Sequence, residues 1–214
     1  MFTISRIKIA VVAGTAAVAL IAAGCSNNDS STSGTNHEST TGSSSSMPGM
    51  DHGGMSTQPA ARTDFNAADI TFLQMMYPHH AQAVEMAKLV PSRSQNEQLR
   101  TLAKNVEQAQ TPEMQQITTL LQAFGKGAPS ATMGHEGMAG MMSADQMSAL
   151  EKLSGPEFDT QWMRMMIEHH KGAITMSNTE LASGGNAEAK AMAQAIVTGQ
   201  QTEIDEMNAM LGRS

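Results

Sequence analysis

Apolar residues recur along this chain at spacings of three and four, the pattern of helices that bury one face. From Asn66 to Leu89 and on to Val90 the stripe runs through Phe72, Met75, Met76, His79, Ala83, Met86 and Val90, with Gln74, Gln82, Glu85 and Lys88 opposite. Val90-Pro91 predicts its end, because the residue before a proline is driven out of the helical region. A second helix is predicted from about Asn96 to Phe124, with Leu99, Leu102, Val106, Met114, Ile117, Leu120 and Leu121 inward and Gly125 as its stop. Pro112 inside it predicts a kink or a break. Residues 125–153 are rich in Gly and Met, with a short helix predicted from Ala144 to Leu153 behind Ser143 as cap. A third long helix, Pro156 to Ala182, and a fourth, Asn186 to Leu211, follow on either side of Ser183-Gly184-Gly185. With no convincing strand, the pattern predicts an all-α helical bundle.

The two halves are copies. An offset of 90 residues lays Met75-Met76 on Met165-Met166, His79-His80 on His169-His170, Ala83 on Ala173, Met86 on Met176 and Asp69 on Asp159. Without a gap, the same offset lays Ala103 on Ala193, Gln110 on Gln200, Glu113 on Glu203 and Leu121 on Leu211. A helical hairpin is thus used twice, over residues 64–124 and 154–214. Either hairpin alone would expose its apolar stripe, and pairing closes a core.

The 64–214 bundle is preceded by two segments of different character. Residues 1–24 carry Arg6 and Lys8 and then an apolar run from Ile9 to Ala23, the build of an export signal and too short to span a bilayer. The run ends at Ile21-Ala22-Ala23-Gly24-Cys25, which resembles a lipobox and makes Cys25 the expected lipidation site. Residues 25–63 are mostly Ser, Thr, Gly and Asn and read as a flexible tether.

Composition narrows the chemistry. The 214 residues hold 20 Met, and only 3% are aromatic, so methionine has to supply core volume. A single Cys leaves no disulfide framework and no multi-cysteine metal site. The formal charge is −7, and loss of Arg6 and Lys8 with the leader leaves 11 Lys and Arg against 20 Asp and Glu, a net of −9. Such a chain offers no basic surface to nucleic acid and no charge attraction to anionic lipid, so a membrane partner has to be reached through the lipid anchor.

The repeated His-Met stripe is the candidate chemistry. At 100° per residue, Met75, His79 and Met86 lie within roughly 40° of one another, and Met76 and His80 form a second row. Met165, His169 and Met176, with Met166 and His170, repeat that arrangement. Bundle di-iron sites use Glu-x-x-His, but here Met76, Tyr77, Met166 or Ile167 stands three before each His. Imidazole with thioether is the donor set of copper, Cu(I) above Cu(II), and of silver as a second soft ion. Two further patches carry the same donors between Gly spacers: Met47, Met50, His52 and Met55 in the tether, and Met133, His135, Met138, Met141 and Met142 in the connector. A Met stripe at helical spacing is also ordinary core, and a core His is often only hydrogen-bonded, so both readings stand at this point. Within each His pair either ring could be the ligand. Glu168, Glu180, Glu85 and Asp69 read as surface carboxylates, and Trp162, equivalent to Phe72, reads as a core anchor.

The strings Phe72-Leu73-Gln74-Met75-Met76-Tyr77-Pro78-His79-His80 and Trp162-Met163-Arg164-Met165-Met166-Ile167-Glu168-His169-His170 resemble the twin signature of the bacterial domain of unknown function 305. Glu168 stands where the first copy has Pro78. The resemblance extends over about Asp64 to Leu211. It implies a ferritin-like four-helix bundle, an exported and often lipid-anchored protein, and a copper role for the His and Met residues of both signatures. The expected function is copper sequestration, tolerance or hand-over to a transport partner, without catalysis. The alternatives are a metal-dependent redox enzyme on the same bundle and a structural module whose stripe is only core.

Overall fold

The structure is a computed structural model that describes residues 62–131 and 138–212. The leader, Cys25 and the tether, including Met47, Met50, His52 and Met55, lie outside the described residues, as do Met133 and His135.

The described residues form helices only: α1 (Ala67–Arg93), α2 (Glu97–Ala123), α3 (Ala144–Glu151), α4 (Gly155–Ser183) and α5 (Ala187–Met210). The four long helices make two antiparallel hairpins, α1 with α2 and α4 with α5, and α1 packs against α4. Asparagine caps set the starts. Asn96 and its repeat equivalent Asn186 accept from the second and third amides of α2 and α5 through their side chains. Asn66 does the same for α1 and completes a capping box with Asp69, and each such cap contributes about 1 kcal/mol. Ser143 and Gln146 form the capping box of α3.

Two prolines behave differently from the pattern's expectation. Helix α1 runs through Pro91 to Arg93 and closes with the Ser94 amide donating to Val90 O at 2.9 Å. In a last turn, proline removes only one ladder donor, and the next amide restores the closure. Helix α2 is continuous across Pro112. The carbonyl deprived of its partner belongs to Gln108, which is exposed, so water can satisfy it.

The core is built in two apolar clusters. One gathers Met86, Val90, Leu99, Leu102, Val106, Phe158, Trp162, Met163, Met166 and Met207. The other gathers Phe72, Leu73, Met76, Ile117, Leu120, Leu121, Met192 and Ile196. Methionine does fill core volume, and Trp162 is the anchor its position predicts: it is fully buried, and its indole Nε1 donates to Met86 O at 2.8 Å.

Candidate metal centre

Along every long helix, the change from one apolar cluster to the other coincides with a polar interruption. It falls at His79-His80 in α1, Gln110 and Glu113 in α2, His169-His170 in α4, and Gln200 and Glu203 in α5. These eight residues are four equivalent pairs under the 90-residue offset, so the repeat places a polar layer across the waist of an apolar bundle. All four imidazoles are fully buried.

The rings divide by role. His79 meets His169 where α1 crosses α4, with ring centroids 3.8 Å apart and planes tilted by 42°. His80 and His170 turn instead to the flanking helices. The Nε2–H of His80 donates to Glu113 Oε2 at 2.7 Å, and that of His170 donates to Glu203 Oε2 at 2.6 Å. The Nδ1 atoms of all four rings are buried and without a hydrogen-bond partner, as are the side-chain amides of Gln110 and Gln200. His79 Nε2 lies 3.3 Å from Ala139 O, and neither nitrogen of His169 makes a side-chain hydrogen bond of good geometry. Burial pushes the His79 imidazole down to about 3, helped by the neighbouring His80. Burial first and His79 second hold His169 well below the usual histidine value. Neutral imidazole is the form that ligates a metal, so a desolvated layer of this kind suits soft-ion binding.

The four imidazoles nevertheless do not close on one point. Among the described residues no group of three His, Cys, Asp or Glu side chains could hold a metal ion, so a site in this layer depends on thioether sulfur. Helical geometry puts Met76 one turn before His80, and Met166 one turn before His170. Met76, Met86, Met165 and Met166 are buried in the apolar clusters, which makes each of them core as well as candidate donor. Met75 and Met176 are half-buried.

The connector is strapped over this layer. Gln82 donates Nε2–H to Met142 O at 2.8 Å and accepts from the Met142 amide at 2.7 Å, a two-point clamp on α1. Gly140, at φ +81°, lies against α4, and a Cβ on Gly172 would sit 2.0 Å from Ala139 O. A groove of about 1040 Å³ between α1, the connector and α3 is lined by Met138, Met141, Met142 and Met147, with Gln82 and Glu85 among its polar residues. The structure thus brings Met138, Met141 and Met142 together, beside the α1 stripe. Met147 joins them without having stood out in the sequence.

Two carboxylates read as surface groups are buried. Asp69 is 0% exposed and Glu180 1%. Asp69 accepts from the amides of Asn66, Gly185 and Asn186, pinning the start of α1 to the α4–α5 turn. Glu85 and Glu168 are exposed, as expected. Glu113 and Glu203 are histidine partners that lie outside the signature strings. Their coincidence under the 90-residue offset, together with that of Gln110 and Gln200, was the available signal.

A search of the curated proteins finds no match. Among solved structures, a DUF305 fragment from Deinococcus radiodurans is 32% identical, with a TM-score of 0.64 over 70% of this chain and 98% of that one. A DUF305 protein from Streptomyces coelicolor is 30% identical, with a TM-score of 0.63 over 68% and 92%. CopM in its Cu(II)-bound form is 29% identical, with a TM-score of 0.59 over 66% and 94%. CopM structures in Cu(I)-bound, silver-bound and apo forms also match. The profile of the family described as "Domain of unknown function (DUF305)" matches residues 69–211, and the chain belongs to that family.

Proposed function

We propose that this chain is an exported, lipid-anchored copper-binding protein that sequesters copper, or passes it to a transport partner, without turnover. The observation that carries the reading is the desolvated waist layer, where four buried Nδ1 atoms have no partner and methionine stands one turn away. An orphaned polar atom in an apolar interior is costly, and a soft cation is a partner that its lone pair can take. Similarity to CopM, solved with Cu(I), Cu(II) and silver, supports the same ion class.

In this reading the domain order is a leader over 1–24, a tether over 25–63 and a ferritin-like bundle over 64–214, with Cys25 carrying the lipid. The bundle donors are drawn from His79, His80, His169 and His170, either ring of each adjacent pair, with Met75, Met76, Met86, Met165, Met166 and Met176. The outer donors are Met47, Met50, His52 and Met55 in the tether and Met133, His135, Met138, Met141 and Met142 in the connector. Gly-spaced thioethers collect Cu(I), and the waist layer holds it away from water. No helix among the described residues is long and apolar enough to cross a membrane, and lipidation at Cys25 supplies the attachment.

Metal analysis of protein purified from its native envelope tests this. The reading expects copper in the purified protein after growth in copper. Iron in its place, or no bound metal under copper load, contradicts it.

A further inference from the structure

We propose that Glu113 and Glu203 are positioning residues that make Nδ1, rather than Nε2, the metal-facing nitrogen of His80 and His170. The inference rests on the copper-binding reading above and goes on to identify one ring in each His pair and one atom in each ring.

Both pairs have the same construction. A ring that is 0% exposed donates from Nε2 to a carboxylate 33 residues further along the chain, at 2.7 Å in one copy and 2.6 Å in the other. The carboxylate side chains are 24% and 17% exposed, so each pair runs from the sealed waist toward the bundle surface. A carboxylate oxygen accepts, which places the ring hydrogen on Nε2 and leaves the lone pair of the neutral ring on Nδ1. That Nδ1 is buried and has no partner in either copy. Histidine ligands elsewhere are held in this way, the second ring nitrogen donating to a carboxylate that fixes tautomer and orientation and raises donor strength. His79 has a poorer arrangement, 3.3 Å from a neutral carbonyl, and His169 has no such partner. Of each adjacent pair, the ring backed by a carboxylate is therefore the stronger donor, and the His79–His169 contact serves as the packing partner between hairpins.

The test is long-range ¹H–¹⁵N correlation of the imidazoles, together with ¹³C spectra of the methionine methyls, in the mature chain titrated with diamagnetic Ag(I). Before metal, His80 and His170 should both show hydrogen on Nε2. On adding silver, their Nδ1 resonances should move while Nε2 keeps its hydrogen. Glu113→Ala should mix the His80 tautomers and weaken silver binding there by about ten- to a hundredfold. His170, still backed by Glu203, is the control inside the same molecule and reports that the variant is folded. Glu113→Gln keeps an acceptor and should recover part of the loss. A silver response at Nε2, or an unchanged Nδ1 response in Glu113→Ala, overturns the positioning role. Methionine methyl shifts with no imidazole response overturn it too, while leaving metal binding intact. No response in either group overturns both readings.

Discussion

Asp69 and Glu180 sit together at the turn between α4 and α5, where an added Cβ at Gly184 would lie 2.1 Å from Glu180 Oε1. Burial first, and the adjacent Asp69 next, raise the Glu180 carboxyl to about 8 from an ordinary 4.5. A raised folded pKa means that the folded chain holds a proton the unfolded chain has released. This group's stabilising contribution is therefore complete below pH 4.5 and is lost as the pH rises through 8. His79 and His169 act with the opposite sign: their folded values lie below 6.5, so their contribution is complete above 6.5 and is lost as the pH falls toward 3. Between pH 6.5 and 8 the Glu180 effect is free of the histidine one. Chemical denaturation of the apo protein at pH 6.5 and 8 should show wild type losing more stability over that interval than Glu180→Gln, which cannot ionise. Equal losses would mean that Glu180 is already ionised at the lower pH. The sequence could not reveal this pair. Spacing puts both carboxylates on the buried faces, Asp69 three, four and seven residues before Phe72, Leu73 and Met76, and Glu180 three and seven after Ser177 and Ala173, but Asp69 finds its acceptor role 116 residues away, at Gly185, which no wheel of one helix shows. Trp162 was legible because a large apolar residue in a stripe needs no partner to be named.

At the scale of elements, the connector is held less by its own structure than by the helices it crosses. Gly140 and Gly172 allow backbone to approach backbone at a distance no side chain tolerates, and Gln82 holds the Met142 amide and carbonyl. Gly172→Ala puts a methyl where Ala139 O now lies, so the strap should lift. Hydrogen exchange should show faster exchange of the Met142 amide with helical content unchanged. Gly199→Ala is the matched control, because no atom lies within 4 Å of its added Cβ. It should leave the Met142 amide protected and add about 0.5–1 kcal/mol of stability through helix propensity. An unchanged Met142 amide in Gly172→Ala would show that the close approach does not hold the strap. The helix positions were readable from periodicity, and the Asn caps agree with them. The passage of α1 and α2 through Pro91 and Pro112 was not: Pro91 falls in the last turn, which the Ser94 amide closes, and buried Val106 and Ile117 continue the packed face of α2 on either side of Pro112.

For the whole molecule, the repeat was the most informative feature of the sequence. Two hairpins offset by 90 residues account for the antiparallel pairs, for the contact of α1 with α4, and for a waist at which both copies turn polar together. The sequence did not reveal how the imidazoles would divide. Their separation into a tilted contact pair and two carboxylate-backed rings depends on Glu113 and Glu203, which come from the returning helix of each hairpin rather than from the signature itself. The apolar clusters above and below the waist give these rings a dry surrounding, which keeps His79 and His169 neutral and makes any unpartnered ring nitrogen costly.

The most direct measurement of the central claim is competition for Cu(I) between the mature protein and a chromogenic chelator, using wild type and the His80→Ala, His170→Ala double variant at matched helical content. The account predicts that wild type takes Cu(I) from the chelator and that the double variant binds at least about tenfold more weakly, a loss of about 1.4 kcal/mol. Equal affinity in the two proteins would place the copper elsewhere and reduce the waist imidazoles to packing.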